Sequence, residues 1–151
     1  MIWGMVLSNG EILIKTMEGK ENCEKYKDLV WNFAVPNIKS RLGDDFILQQ
    51  DNCPIHVSRL MTNFFHENNI KVLKWPARSP DLNIMENVWQ MIAEEVYDGP
   101  AFNNKMTLQE KIDSAVAKCN NEKIACLQDL YESFVDRLFS VIQTKGNKIN
   151  Y

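Results

Sequence analysis

No apolar run in this sequence approaches the ~20 residues needed to cross a bilayer, which argues against a membrane protein. Positive charge is not in excess either: 17 Lys and Arg stand against 20 Asp and Glu, for a net charge of -3. Phosphate affinity rests on clustered cations, so this balance disfavours a strong autonomous nucleic-acid binder. It leaves room for a domain that acts on nucleic acid and is delivered by another module. The four cysteines, Cys23, Cys53, Cys119 and Cys126, form no CxxC pair. That argues against a zinc site, and scattered thiols suit a reducing compartment. The N-terminus, MIWGMVLSNG, has no basic n-region and no clear cleavage site, so no signal peptide is read there. Repeats, low-complexity segments and internal linkers are lacking. What is present is 151 residues, 45% hydrophobic and 25% charged, which suits one domain with a real core.

Two apolar-rich runs, Ile2 to Leu7 and Glu11 to Thr16, flank Ser8-Asn9-Gly10. Asn-Gly between such runs predicts a hairpin, because both residues tolerate positive φ. Tyr26, Leu29, Val30 and Phe33 recur at helical spacing, so a helix is expected from about Asn22, ended or kinked by Pro36. Gly43 is a stop before a short strand, Asp45 to Gln50. A helix over about 57–68 should turn Leu60, Phe64 and Phe65 inward, and Ile70 to Leu73 reads as a strand. WPARSPDLN, with two prolines, must be a loop. Asp81 or Asn83 can then cap a helix carrying Ile84, Val88, Trp89 and Ile92. Thr107 to Glu110 reads as a capping box with Thr107 at the cap, followed on one face by Leu108, Ile112 and Ala115. A last helix should carry Ile124, Leu127, Tyr131, Phe134 and Leu138. Strand-helix-strand-helix in the middle implies a partly parallel α/β sheet.

Ligands in such sheets sit at the carboxyl ends of strands. QQDNCPIH places Asp51 there, either as a turn residue or as a ligand held on a rigid strand end. Glu86, in LNIMENVW, falls in the first turns of the helix after the proline loop. Thirty-four residues, 52 to 85, separate the two acids. Carboxylates from a strand end and a neighbouring helix are what a divalent ion needs. Mg²⁺ prefers hard oxygen ligands, and two ions about 3.5–4 Å apart can drive phosphoryl transfer.

QQDNCPIH followed by WPARSPDLNIMENVW resembles the catalytic domain of the Tc/mariner transposases, whose pattern reads roughly QQDNAPxHxS and then WPxxSPDLNPIENxW. The opening IWGMVLSNGEI is similar to the hairpin that follows the family's first catalytic strand. The ending FVDRLFSVIQTKGNKINY is similar to its closing helix, with Arg-x-x-x-Val-Ile and a terminal Gly-x-x-Ile-x-Tyr. The resemblance implies an RNase H-like α/β fold, a mixed sheet flanked by helices, with the first catalytic strand missing. It implies a single partial catalytic domain over 1–151, without the family's helix-turn-helix DNA-binding region. Asp51 and Glu86 match the second and third acids of the DDE triad and are expected to hold Mg²⁺ or Mn²⁺. The family's first Asp has no counterpart: Asp44 and Asp45 fall at the far end of the strand from Asp51, and Glu11 has no motif support. Ile84-Met85 replaces the family's Pro-Ile, a small loss of pre-organisation.

The implied activity is metal-dependent DNA strand cleavage and transfer in transposition, with DNA as partner, a homodimer as one arrangement, no membrane, no small-molecule cofactor and a nuclear location. With two acids of three, the chain alone is expected to be inactive. Asn52 and Asn87 are expected to orient the acids; the resemblance puts His56 near the site, where it contacts DNA or supports the metal ligands, against a packed or hydrogen-bonded histidine. Lys71, Lys74 and Arg78 make a modest basic cluster; Lys74 and Arg78 are the candidates for phosphate contact, against a solvated surface. Trp75, Trp89 and Phe64 read as core, and Cys53 as a small buried filler. The alternative from another class is a non-catalytic, transposase-derived interaction module or remnant. A carboxylate-pair hydrolase, recognisable by metal-independent activity, is a third.

Overall fold

A computed structural model describes residues 1–77, 79–98, 101 and 104–146. They fall into two compact units, one of Met1 with Met17–Arg78 and one of Ile2–Thr16 with Ser79–Tyr151. No helix among the described residues is long and apolar enough to cross a membrane.

The first unit is built on a helix that changes its winding. Helix α1 (Cys23–Leu29) starts at Asn22, whose side chain accepts from the Lys25 amide at 2.9 Å. It runs into a π-helical turn, Val30–Ala34, and then into α2, Val35–Leu42. Pro36 was expected to end or kink the helix. The helix continues instead, because the wider turn sits where the proline has no amide to offer Asn32. Gly43, at φ 86°, stops α2 as expected. The expected strand over 45–50 shortens to β3, Ile47–Leu48, paired in parallel with β4, Lys71–Val72. Between them lies α3 (Arg59–Glu67), capped by Ser58. Phe64 and Phe65 are buried, whereas Leu60 is half-buried and Met61 takes the innermost place.

In the second unit β1 (Ile2–Val6) and β2 (Ile12–Thr16) form the antiparallel hairpin, with Ile2 opposite Thr16 and Val6 opposite Ile12. Only Gly10 takes positive φ, 87°, so the turn is a longer loop closed by Gly10 N donating to Leu7 O. Asn9 uses its side chain instead, accepting from the Glu11 amide. An added Cβ at Gly10 would lie 2.7 Å from the Ile124 carbonyl oxygen, which is backbone and cannot rotate away. Gly10→Ala is therefore expected to destabilise the protein by about 2 kcal/mol, read as a lowered denaturant midpoint.

A 3₁₀ turn, Pro80–Leu82, leads into α4 (Ile84–Tyr97), for which Asn83 rather than Asp81 is the cap. Helix α5 (Lys105–Glu122) begins earlier than expected. Asn104 is the cap and Thr107 the third helical residue, because their side chains and amides satisfy each other reciprocally. The single closing helix is two, α6 (Ile124–Glu132) and α7 (Phe134–Gln143), broken at Ser133. Ile12 packs with Val88, Ile92, Val96, Ile112, Ala115, Val116, Cys119 and Leu127 into one core. Asn120 ties α5 to β2 by accepting from the Ile12 amide at 2.8 Å and donating to its carbonyl at 2.9 Å. Trp89 is packed on the strand side of this core, so close to Gly4 that a Cβ there would meet its ring at 2.8 Å.

On α4, Glu95 accepts from Lys118 at 2.6 Å and Lys123 at 2.9 Å. These two ammonium groups, Lys118 first, hold its carboxyl below the usual range. A depressed carboxyl adds stability above its unfolded pKa of about 4.3 and loses it as pH falls through the folded value. Glu95→Gln should accordingly flatten the acid limb of the stability curve below pH ~4.3 and leave its neutral-to-alkaline shape unchanged, as checked by thermal melts across pH.

Among the described residues the expected mixed α/β architecture is thus present as one antiparallel and one parallel strand pair, each flanked by helices.

Candidate metal centre

Asp51 follows β3 by three residues, beyond the strand's carboxyl end. Its carboxylate is half exposed, and both of its protein contacts fall on Oδ1. The Cys53 amide donates to it at 3.0 Å, and His56 Nδ1 lies 2.7 Å away. The loop folds back on itself because the His56 and Val57 amides both donate to the Cys53 carbonyl, at 2.8 and 3.1 Å. His56 is held on its other side by Tyr26, whose ring stacks on the imidazole at 4.2 Å. The Tyr26 hydroxyl donates to Gln50 Oε1 at 2.7 Å, and the Gln50 amide donates to the His56 carbonyl at 3.1 Å. Burial, then the charges of Glu21 and Asp51, push the Tyr26 phenol far above its ordinary pKa, so it stays a neutral donor. Asn52 donates to the Trp75 carbonyl at 2.9 Å, pinning the loop to the residues after β4.

Cys53 is not the buried filler expected. It is half-buried, and its sulfur, an Asp51 carboxylate oxygen and a His56 ring nitrogen lie within 4.8 Å of one another. No pair spacing among cysteines signals this, because the three candidate donors are of three residue types inside one turn.

Glu86 stands in the first turn of α4, in the second unit, with an exposed carboxylate. Asn83 fixes that turn. Its Oδ1 accepts from the Met85 amide at 3.2 Å, its carbonyl accepts from the Glu86 amide at 3.0 Å, and its Nδ2 lies 3.5 Å from Glu86 Oε1. Asn87 is oriented by a residue whose role was not legible in the sequence. Arg137 of α7, only 4% exposed, donates to Asn87 Oδ1 at 3.1 Å and to the Asp81 carbonyl at 3.3 Å. Its Nε donates to Ser133 Oγ at 3.0 Å. The signal for it in the sequence was the arginine of the Arg-x-x-x-Val-Ile pattern in the closing helix, which marks the residue without naming its contacts. Lys71 is engaged with Asp45 at 2.6 Å, which removes it from the basic cluster, while Lys74 is exposed. Arg78 and the terminal Asn147 to Tyr151, including the end of the Gly-x-x-Ile-x-Tyr signature, lie outside the described residues.

Comparison with known proteins gives these residues a context. Residues 1–109 match the DDE superfamily endonuclease family. The whole chain is 33% identical over 152 aligned positions to the transposable element Tc3 transposase of Caenorhabditis elegans, covering 45% of it. It is 29% identical to the Tcb1 transposase of Caenorhabditis briggsae, covering 54%. The chain thus spans about half the length of the curated relatives it matches. Its fold is that of the Mos1 mariner transposase. A paired end complex with Mn superposes with a TM-score of 0.82 at 16% identity, over 99% of this chain and 44% of that one. The Mos1 catalytic domain with Raltegravir and Mn gives 0.80 at 15% identity, over 99% and 76%. A match over most of its length, on an RNase H-like α/β fold, places the chain in the DDE endonuclease superfamily, as a Tc/mariner-type transposase catalytic domain.

Proposed function

We propose that residues 1–151 serve as one catalytic domain of DNA transposition, with Asp51 and Glu86 as carboxylate ligands for Mg²⁺ or Mn²⁺. The observation that supports this most is the state of Asp51: a half-exposed carboxylate beyond a parallel strand, with one oxygen anchored by the Cys53 amide and His56. Hard oxygen donors held on fixed elements fit a divalent ion that keeps part of its water shell. Bound ions would activate the attacking oxygen and stabilise the leaving one in strand cleavage and transfer.

The protein's own part is positioning. His56, clamped by Tyr26 and Gln50, sets the rotamer of Asp51. Asn83 and the Arg137–Asn87 contact set the first turn of α4, and with it Glu86. Lys74, with Arg78, is the candidate contact to the DNA backbone. DNA as partner, pairing of two copies and a nuclear location belong to this reading, and the likeness to Tc and Mos1 transposases supports them. Two acids of a three-acid site leave the isolated chain without strand transfer in this reading.

Titration of the 151-residue chain with Mn²⁺, followed by loss of the free-ion EPR signal, tests the ligand assignment. Asp51→Asn and Glu86→Gln should each weaken binding at least about tenfold. Affinity unchanged in both variants would sink it. Mg²⁺- or Mn²⁺-dependent DNA nicking by the isolated chain that vanishes in Asp51→Asn would overturn the inactivity.

A further inference from the structure

The turn after β3 carries a thiol, Cys53, where the Tc/mariner pattern quoted above has alanine. That thiol is half-buried and stands beside two other donors. Sulfur, carboxylate oxygen and imidazole nitrogen lie within 4.8 Å of one another in the six residues from Asp51 to His56. The turn is closed by its own backbone, with the His56 amide on the Cys53 carbonyl and the Cys53 amide on Asp51 Oδ1. The imidazole has a fixed seat, stacked on Tyr26, whose hydroxyl is bound by Gln50. Three donors of different hardness are thus gathered on a braced loop.

Mg²⁺ has little use for two of them, since it takes oxygen ligands and keeps its waters. Thiolate and imidazole select borderline ions, and zinc accepts a mixed set of three protein ligands with water in the fourth place. Tetrahedral coordination sets ligand atoms about 3.3–3.6 Å apart. The His56–Asp51 contact, now 2.7 Å, would open slightly and the sulfur would draw in.

We propose that Asp51, Cys53 and His56 form a binding site for a zinc-class divalent ion, which Cys53 makes distinct in chemistry from the Mg²⁺ or Mn²⁺ pair. As the sulfur–metal bond forms, the thiol proton passes to solvent and no oxidation state changes. One consequence rests on the function proposed above: because Asp51 would serve both, a zinc-class ion would displace Mn²⁺ from it. The binding itself does not depend on Glu86.

Co²⁺, a spectroscopic stand-in for zinc, is the probe. The reduced 151-residue chain is titrated with Co²⁺ under anaerobic conditions, and thiolate-to-cobalt charge transfer is read in the near ultraviolet. The band should appear at one equivalent, survive excess Mg²⁺ and be bleached by one equivalent of Zn²⁺. It should vanish in Cys53→Ala, with affinity falling at least about tenfold in His56→Gln. Cys23→Ala, Cys126→Ala and Glu86→Gln should keep it. Absence of the band in the unmodified chain, or its persistence in Cys53→Ala, would refute the site. Loss of Mn²⁺ binding in Glu86→Gln with the cobalt band intact would support both proposals. Mn²⁺ binding indifferent to Asp51 and Glu86, with the band still dependent on Cys53, would remove the catalytic reading alone.

Discussion

Strand cleavage is expected to fall at least about a thousandfold on Glu86→Gln in a chimera joining the preceding half of a Tc3-type relative to these 151 residues. The substitution keeps shape and removes charge. Asn83, through the Met85 amide, and Arg137, through Asn87, continue to hold the first turn of α4, so the amide should occupy the place of the carboxylate. What is lost is a hard anionic oxygen, and members of a catalytic unit are strongly non-additive, so loss of one removes most of the rate. Asp51→Asn should act to the same extent, and the double variant should be little worse than either single one. Nicking of a labelled terminal-repeat duplex with Mg²⁺ and with Mn²⁺ measures it. A drop of tenfold or less in both variants would mean that other groups hold the ions.

The second large effect is on stability. Arg137→Ala should cost about 3 kcal/mol. The side chain is buried at 4% exposure and binds the Asp81 carbonyl, Asn87 Oδ1 and Ser133 Oγ. Truncation leaves those acceptors without this donor and opens a cavity under α7. Arg137→Met separates the two contributions, because it keeps most of the volume and loses every hydrogen bond; it should recover about 1 kcal/mol of the loss. A functional readout distinguishes positioning from mere packing. Arg137 orients Asn87, the neighbour of Glu86, so Mn²⁺ affinity should also fall in Arg137→Met under conditions where the protein remains folded. Denaturant midpoints and the EPR titration together check this. An alanine variant as stable as the parent would show that the contacts contribute nothing net.

Contiguous residues carried a large share of the architecture. The hairpin, α3 and α4 follow from apolar spacing of two and of three to four, and the start of α1 and the end of α2 follow from Asn22 and Gly43. The placement of Asp51 beyond a strand and Glu86 in a first helical turn was legible for the same reason: both depend on neighbours within a few positions. Errors arose where two local solutions competed. Asn104 and Thr107 could each begin α5, and the apolar face from Ile124 to Leu138 could continue through Ser133 or break there.

Those choices, and the fine structure of the site, were decided by tertiary contacts. Nothing near Arg137 in the sequence indicates that it reaches Asp81, 56 positions earlier, or that Asn120 closes on Ile12, 108 positions earlier. Tyr26 read as one more core residue, yet it is the platform under His56. The sequence by itself determined which segments are helices and strands and where the two acids stand on them, because those preferences are summed over adjacent residues. The tertiary structure alone decided what orients each acid and how near Cys53 comes to Asp51 and His56, because these depend on separations in space that side-chain order along a chain does not encode.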